Sequence, residues 1–430
     1  MAGLSHHLPL PSALKNKLLD SDDLRKWTKV HRSRNLLCLL LDFLSAAGII
    51  TSTIYFLNHR AEWGLPWIFN IPVTAIAIFL VGCIQHRIGL MGHEASHYLL
   101  HPNRRTNDLL AQILCFFPVF GSLPKYRAKH LTHHLHPNDP DRDMNLHGDR
   151  AKRLYSRFPM EKPSFIFHYY LKFFWPPFVL SNLRDLIHVI AIGSPEGKQE
   201  SGSQDAGQKT PLYRKPALWG IAYLIAYLVV MEFTKRESLP IFAVALSSTY
   251  LLGVLGWSRM PDFWFLSKRG KLAYPHRIDA LLRMTFVTAL ATSFGITFRL
   301  TGVWAGGYFL LLWVVPLIYV FPYLMLLREI YQHANADEGD LTNSRMMFTD
   351  PFTRWAVLGY GNGAHLVHHI YPNIPQYHLS EVHIRLLENS EAYETAAEEI
   401  YGILRPWSEN QPSLLDALSD QETQRAQDSA

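Results

Sequence analysis

Six stretches of this chain, 36–57, 69–90, 217–233, 239–257, 278–298 and 303–327, are apolar for about the length that crosses a bilayer, and they limit what it can fold into. The first alone would reach about 33 Å as a helix at roughly 1.5 Å per residue. A backbone inside lipid has no water to bond to, so these runs are expected to fold as helices that satisfy their own amides and carbonyls. Apolar residues make up 48% of the chain, and the charges are thin within the runs and dense between them. The expected fold is an all-α integral membrane protein built of paired transmembrane helical hairpins. A net charge of +5 without a Lys/Arg stripe excludes a nucleic-acid surface.

Between the runs, the charges set the sidedness. Residues 1–35 carry Lys15, Lys17, Arg25, Lys26, Lys29, Arg32 and Arg34 and lack the basic–apolar–small order of a cleaved signal peptide, so they read as a cytoplasmic N-terminal segment. The membrane domain is expected over 36–385. Asp42 is the one charge in the first run, placed to reach headgroups or a helix partner. Within the domain, 108–123 is apolar but short and broken by Pro118 and Gly121, which suits a re-entrant or interface-lying segment. Residues 193–216 have the composition of a flexible loop. The loop 258–277 holds Arg259, Lys268, Arg269, Lys271 and Arg277 and is cytoplasmic by sign. Residues 386–430 are expected as a cytoplasmic helix followed by an acidic tail. Cys38, Cys83 and Cys115 lie in apolar stretches with no CxxC spacing and read as small packing residues.

Histidine is the residue out of proportion. Of 22, eight fall between His93 and His147 and five between His365 and His383. His93 and His97 stand four apart, so on a helix they share a face and can share a metal. His130/His133/His134 and His365/His368/His369 both follow HxxHH. On a helix the first and fourth positions of that pattern are expected to align, with the fifth turned about 100° further. Each such box can feed two neighbouring metals. Eight imidazoles exceed what one ion takes, and two ions are the simplest account; neutral imidazole suits iron, zinc and copper alike. His6, His7, His31, His59, His168, His188 and His276 read as ordinary histidines. HEASH also matches the H-E-x-x-H pattern of zinc proteases, in which Glu94 would be the general base. That reading explains none of the later boxes, so Glu94 is expected to orient an imidazole.

The ordered set HEASH, HLTHH and HLVHH, set among apolar hairpins, resembles the integral-membrane fatty acid desaturase superfamily. The resemblance runs from about residue 70 to 385 and includes HEASHYLLHPNRRTND, the acidic run Asp139, Asp141 and Asp143, and NGAHLVHHIYPNIPQYHL around Asn362. It implies a cytoplasmic helical cap holding a non-haem di-iron centre. REIYQHAN puts His333 where relatives have a ninth histidine, and Glu329 where relatives have an asparagine. The implied ligand sets are His93, His97, His130 and His368 for one iron, and His133, His134, His333, His365 and His369 for the other. Glu94, Glu329, Asp139, Asp143 and Asn362 are the implied supporting residues. The first box is one residue shorter than that of acyl-CoA enzymes, and the third begins with His365 where front-end desaturases have glutamine. No HPGG motif marks a fused cytochrome b5 domain.

The resemblance implies an O2-dependent lipid oxidoreductase, a fatty acyl desaturase that introduces a C=C bond. The alternatives are a lipid or carotenoid hydroxylase on the same di-iron site and, more remotely, a membrane zinc protease. With no flavin, haem or iron–sulfur motif in the chain, electrons are expected from an external donor of ferredoxin or cytochrome b5 type. Lys125, Arg127 and Lys129 are placed to steer such an acidic carrier. The expected substrate is an acyl lipid. The expected location is multi-pass, in the cell membrane of a bacterium or the endoplasmic reticulum of a eukaryote, with the site facing the cytoplasm.

Overall fold

The computed structural model describes residues 18–143, 145, 157–175, 177, 180, 214–261, 264–265 and 271–419. Five helical stretches are long and apolar enough to cross a membrane: Arg34–His59, Trp67–Ser96, Leu239–Ser258, His276–Thr301 and Gly306–His333. A sixth helix, Arg214–Thr234, offers the shorter apolar stretch Leu218–Thr234. Their outward faces stay greasy: Leu37, Leu40, Leu41 and Leu44 are 53–58% exposed on one turn after another of the first helix. A contiguous apolar surface of that size is stable against lipid and not against water. The chain is a membrane protein.

The elements that position the centre are few. After α1 (Ser21–Trp27) come α2 (Arg34–His59), α3 (Asn70–Ser96), α4 (Arg104–Leu110) and α5 (Leu123–Leu135). Then follow α6 (Arg214–Thr234), α7 (Leu239–Ser258), α8 (His276–Thr301) and α9 (Val315–His333). The chain closes with β1 (Met346–Phe348), α10 (Pro351–Ala356), α11 (His365–Ile370), α12 (Leu379–Asn389), β2 (Glu399–Tyr401) and α13 (Leu414–Ser419). α3 packs along both α2 and α9, while α6 packs on α7 and α8. Gly82 lets α3 approach α9 closely, since a Cβ there would lie 2.3 Å from Val320 Cβ.

The segment expected to be re-entrant or to lie at the interface is shorter than the five long apolar helices. Seven residues of α4 run into six residues of π-helix, Ala111–Phe116, and end at the turn around Pro118. Gln112 joins it to α8 through a 2.6 Å bond to Asp279. Asp42 finds a helix partner: Arg87 on α3 at 2.8 Å, with the Tyr360 hydroxyl donating to its other oxygen.

One boundary needs correction, and two features go beyond the sequence reading. Residues 214–216 belong to α6, so only 193–213 of the expected loop remain, and these lie outside the described residues. The N-terminal segment from Leu18 onward is docked: Leu18, Leu19 and Trp27 are buried with Leu366, Ile370 and Leu379, and Trp27 Nε1 donates to Glu381. Among the described residues the fold is mostly helical, with β1 and β2 forming one short parallel pair, Met347 opposite Ile400. Nothing local marks these three-residue strands; their partner lies some fifty residues away.

Gly82→Leu should lower the thermal midpoint of the purified protein, since overpacking a tight helix contact costs about 1–3 kcal/mol. An unchanged melting curve in detergent would show that α3 and α9 are not in tight contact there.

Candidate metal centre

All nine histidines come together. His93 ends α3 with His97 just beyond it, His130, His133 and His134 lie on α5, His333 closes α9, and His365, His368 and His369 lie on α11. All are buried except His97, which is partly so. They form two groups, His93/His97/His130/His134/His368 and His133/His333/His365/His369, whose donor atoms lie within 4.8 Å of one another in each group. In the first, His130 Nε2 is 2.8 Å from His97 Nε2 and 3.0 Å from His134 Nε2, and His134 Nε2 is 3.0 Å from His368 Nε2. In the second, His333 Nε2 is 3.2 Å from His133 Nε2 and 2.9 Å from His365 Nε2.

These distances fit shared cations. Two donors each about 2.0–2.1 Å from one ion stand roughly 3 Å apart. The protons decide the matter in the second group. His133 Nδ1 donates to Asp143 Oδ2 at 2.8 Å, and His333 Nδ1 donates to the Asn343 carbonyl at 2.9 Å. Both partners only accept, so in the neutral rings both Nε2 atoms carry bare lone pairs, and these face each other at 3.2 Å. A cation between them reconciles what would otherwise repel. In the first group, neither ring nitrogen of His93 has a hydrogen-bond partner among the described residues. Burial, followed by neighbouring imidazoles, holds His130, His134, His365, His368 and His369 well below the usual histidine pKa. Burial and then Arg127 put His97 at about 3. These rings are therefore neutral at pH 7, with lone pairs free for a metal.

The division differs from the implied sets at His134, which joins the first group while its ring stacks on His369 at 4.3 Å. The reason is helical geometry. Residues four apart are offset by about 40° and residues three apart by about 60° the other way. The first and fifth positions of each HxxHH therefore keep together, His130 with His134 and His365 with His369, and the fourth crosses over. Rotation arithmetic on the sequence would have found this.

Supporting residues sort unevenly. Asp143 orients His133 and also takes the Asn138 and Asn145 amides. Glu94 belongs to neither group; its Oε2 accepts the Gln376 amide at 3.0 Å, and Oε1 lies 3.8 Å from His93 Nδ1. Glu329 Oε1 accepts from Asn145 Nδ2 at 2.6 Å. Asp139 caps its own turn through the Asp141 and Arg142 amides. Asn362 acts through its backbone, its carbonyl accepting from Gln332 on α9 at 2.7 Å.

The sequence reading missed two aids. Tyr126 stacks on His130 with centroids 5.5 Å apart, and Asn343 supplies the carbonyl for His333. Arg127 must be removed from the surface that would meet a carrier, because it is 3% exposed and paired with Asp108.

A membrane protein with nine convergent imidazoles in two adjoining groups has the side chains to hold two metal ions side by side. The family model described as fatty acid desaturase matches residues 66–234 and 213–400, and the chain belongs to that family. A curated relative, dihydrorhizobitoxine desaturase of Bradyrhizobium elkanii, is 29% identical over 91 residues, which cover 21% of this chain and 26% of that protein. The match thus spans about a quarter of the relative's length.

Asp143→Asn should weaken metal binding roughly 10–100-fold, the usual cost of losing a partner that orients a ligand. Metal titration of the purified protein reads this directly, with His276→Ala as the unaffected control. Equal affinity in Asp143→Asn and the parent would mean that His133 is no ligand.

Proposed function

We propose that this chain is a membrane-bound, O2-dependent lipid oxidoreductase, a fatty acyl desaturase that introduces a C=C bond at a centre of two irons. The observation that carries the reading is the pair of adjoining imidazole groups, taken with membership of the desaturase family. Two irons bound there supply the O2-dependent removal of hydrogen from an unactivated methylene pair, for which no side chain has the chemistry.

The chain's own residues do the rest. His93, His97, His130, His134 and His368 hold one ion, and His133, His333, His365 and His369 the other. Asp143 and the Asn343 carbonyl keep the His133 and His333 protons on Nδ1, so that Nε2 always faces the metal. Glu94, on the same turn as His93, ties the end of α3 to the loop before α12. Near-complete burial keeps bulk water away.

The membrane part consists of helical hairpins, α2 with α3 and α6 with α7 among them, and the histidines form part of a cytoplasmic cap. The packing of these pairs and the basic loop 258–277 support that arrangement. Electrons come from an external donor of ferredoxin or cytochrome b5 type, for which Lys125 and Lys129 on the exposed side of α5 offer the positive charge.

Protein expressed with ample iron should carry two irons per chain by elemental analysis, and cells with the gene should gain a double bond in their acyl lipids by mass spectrometry. One zinc and no iron, with unchanged lipids, would refute the reading. Glu94→Gln should reduce oxidation without abolishing it, because Glu94 braces the end of α3 that carries His93. Reporter fusions at residues 20, 205, 265 and 425 should all report the cytoplasmic side, and disagreement at 265 would overturn the topology.

A further inference from the structure

Arg328 is a cation inside the protein at the upper end of a membrane-spanning stretch, and it is only 7% exposed. Its nearest carboxylate, Glu329 Oε2, stands 3.8 Å from Nη2, beyond hydrogen-bond distance. Its Nε–H has no hydrogen-bond partner among the described residues. The Tyr126 hydroxyl accepts a hydrogen bond from Arg328, whose charge also reaches His86, His93 and His368. His86 Nε2 is a second buried polar atom without a partner among the described residues. His86 sits two helical turns before His93 on α3, and Arg328 five residues before His333 on α9. Arg328 is thus joined to Tyr126 on α5, the residue whose ring stacks on His130.

A buried guanidinium held at non-bonding distance from its counter-charge costs the fold free energy, and such groups persist where a ligand completes them. Its planar donors match a carboxylate. Resting on the oxidoreductase reading, we propose that the substrate is a free carboxylic acid, whose carboxylate docks on Arg328 with the Tyr126 hydroxyl as a further donor. Thioesters and glycerolipid esters, which carry no charge at that carbonyl, add no counter-charge to that of Glu329 and are poor substrates. The chain thereby distinguishes a free acid from its ester.

Binding separates this site from catalysis, because it is read without turnover. Sodium laurate and methyl laurate are titrated against the iron-loaded full chain in detergent, without a reductant. Laurate should bind at least tenfold more tightly than the ester. Arg328→Gln should weaken laurate binding roughly ten- to hundredfold, the worth of a charge-assisted pair, while ester binding and iron content stay as in the parent. Arg328→Lys should recover part of the loss. Equal binding of acid and ester, or an Arg328→Gln protein that binds laurate normally, overturns the proposal. So does Arg328→Gln losing iron and both ligands together, which marks a purely structural arginine. If laurate binding depends on Arg328 while no acid is ever oxidised with O2, the anion site stands and the oxidoreductase reading falls.

Discussion

The centre depends on one guanidinium. Arg127, three residues before His130, donates from all five N–H groups: to the Ala95 and Ser96 carbonyls that end α3, to both oxygens of Asp108 on α4, and to the Lys271 carbonyl. A buried charge is tolerated only when it is paired and its donors are used, and this one has no unused donor. The arginine therefore does two jobs at once. It adds a donor to carbonyls at the end of α3, and it fixes α5 against α3 so that His97 and His130 meet at 2.8 Å.

A second set of polar contacts does the same for the third box from within the membrane part. Asp42 on α2 pairs with Arg87 on α3, the Tyr360 hydroxyl donates to the same carboxylate, and Arg87 lies over the Tyr360 ring at 4.3 Å. Tyr360 stands five residues before His365, so the loop that delivers α11 is anchored to the helix that carries His93. In a low-dielectric setting such a pair is costly to break, because either partner alone is an uncompensated charge. Together with the Gln332 bond to the Asn362 carbonyl, it holds three chain segments in register around nine rings.

Rigidity here serves chemistry. Imidazoles brought this close repel unless protons or cations lie between them, and burial makes protons expensive. The fold therefore stores its histidines in the form that binds metal, and Asp143 and Asn343 select the tautomer. The same logic makes Arg328 conspicuous. Arg127 has an acceptor for each donor, whereas Arg328, also buried, lacks one at Nε among the described residues.

Much of this was legible in the chain. Apolar runs located the membrane helices, since length and hydropathy are local properties, and the clustering of histidines marked the centre because ordinary packing has no use for it. His333 came from resemblance alone, its place at the close of α9 being a matter of what faces it across space. The rings group differently from the implied sets at His134, and the 100° step of a helix already contained that grouping. Other features were decided by tertiary structure. The burial of Arg127 against Asp108, the docking of Trp27 on Glu381, the pairing of β1 with β2 and the carbonyl that turns His333 all join residues far apart or unremarkable in sequence. Composition and periodicity report what a residue prefers and which face it occupies. Which partner satisfies a buried donor depends on how helices cross, and that is settled only when the whole chain packs.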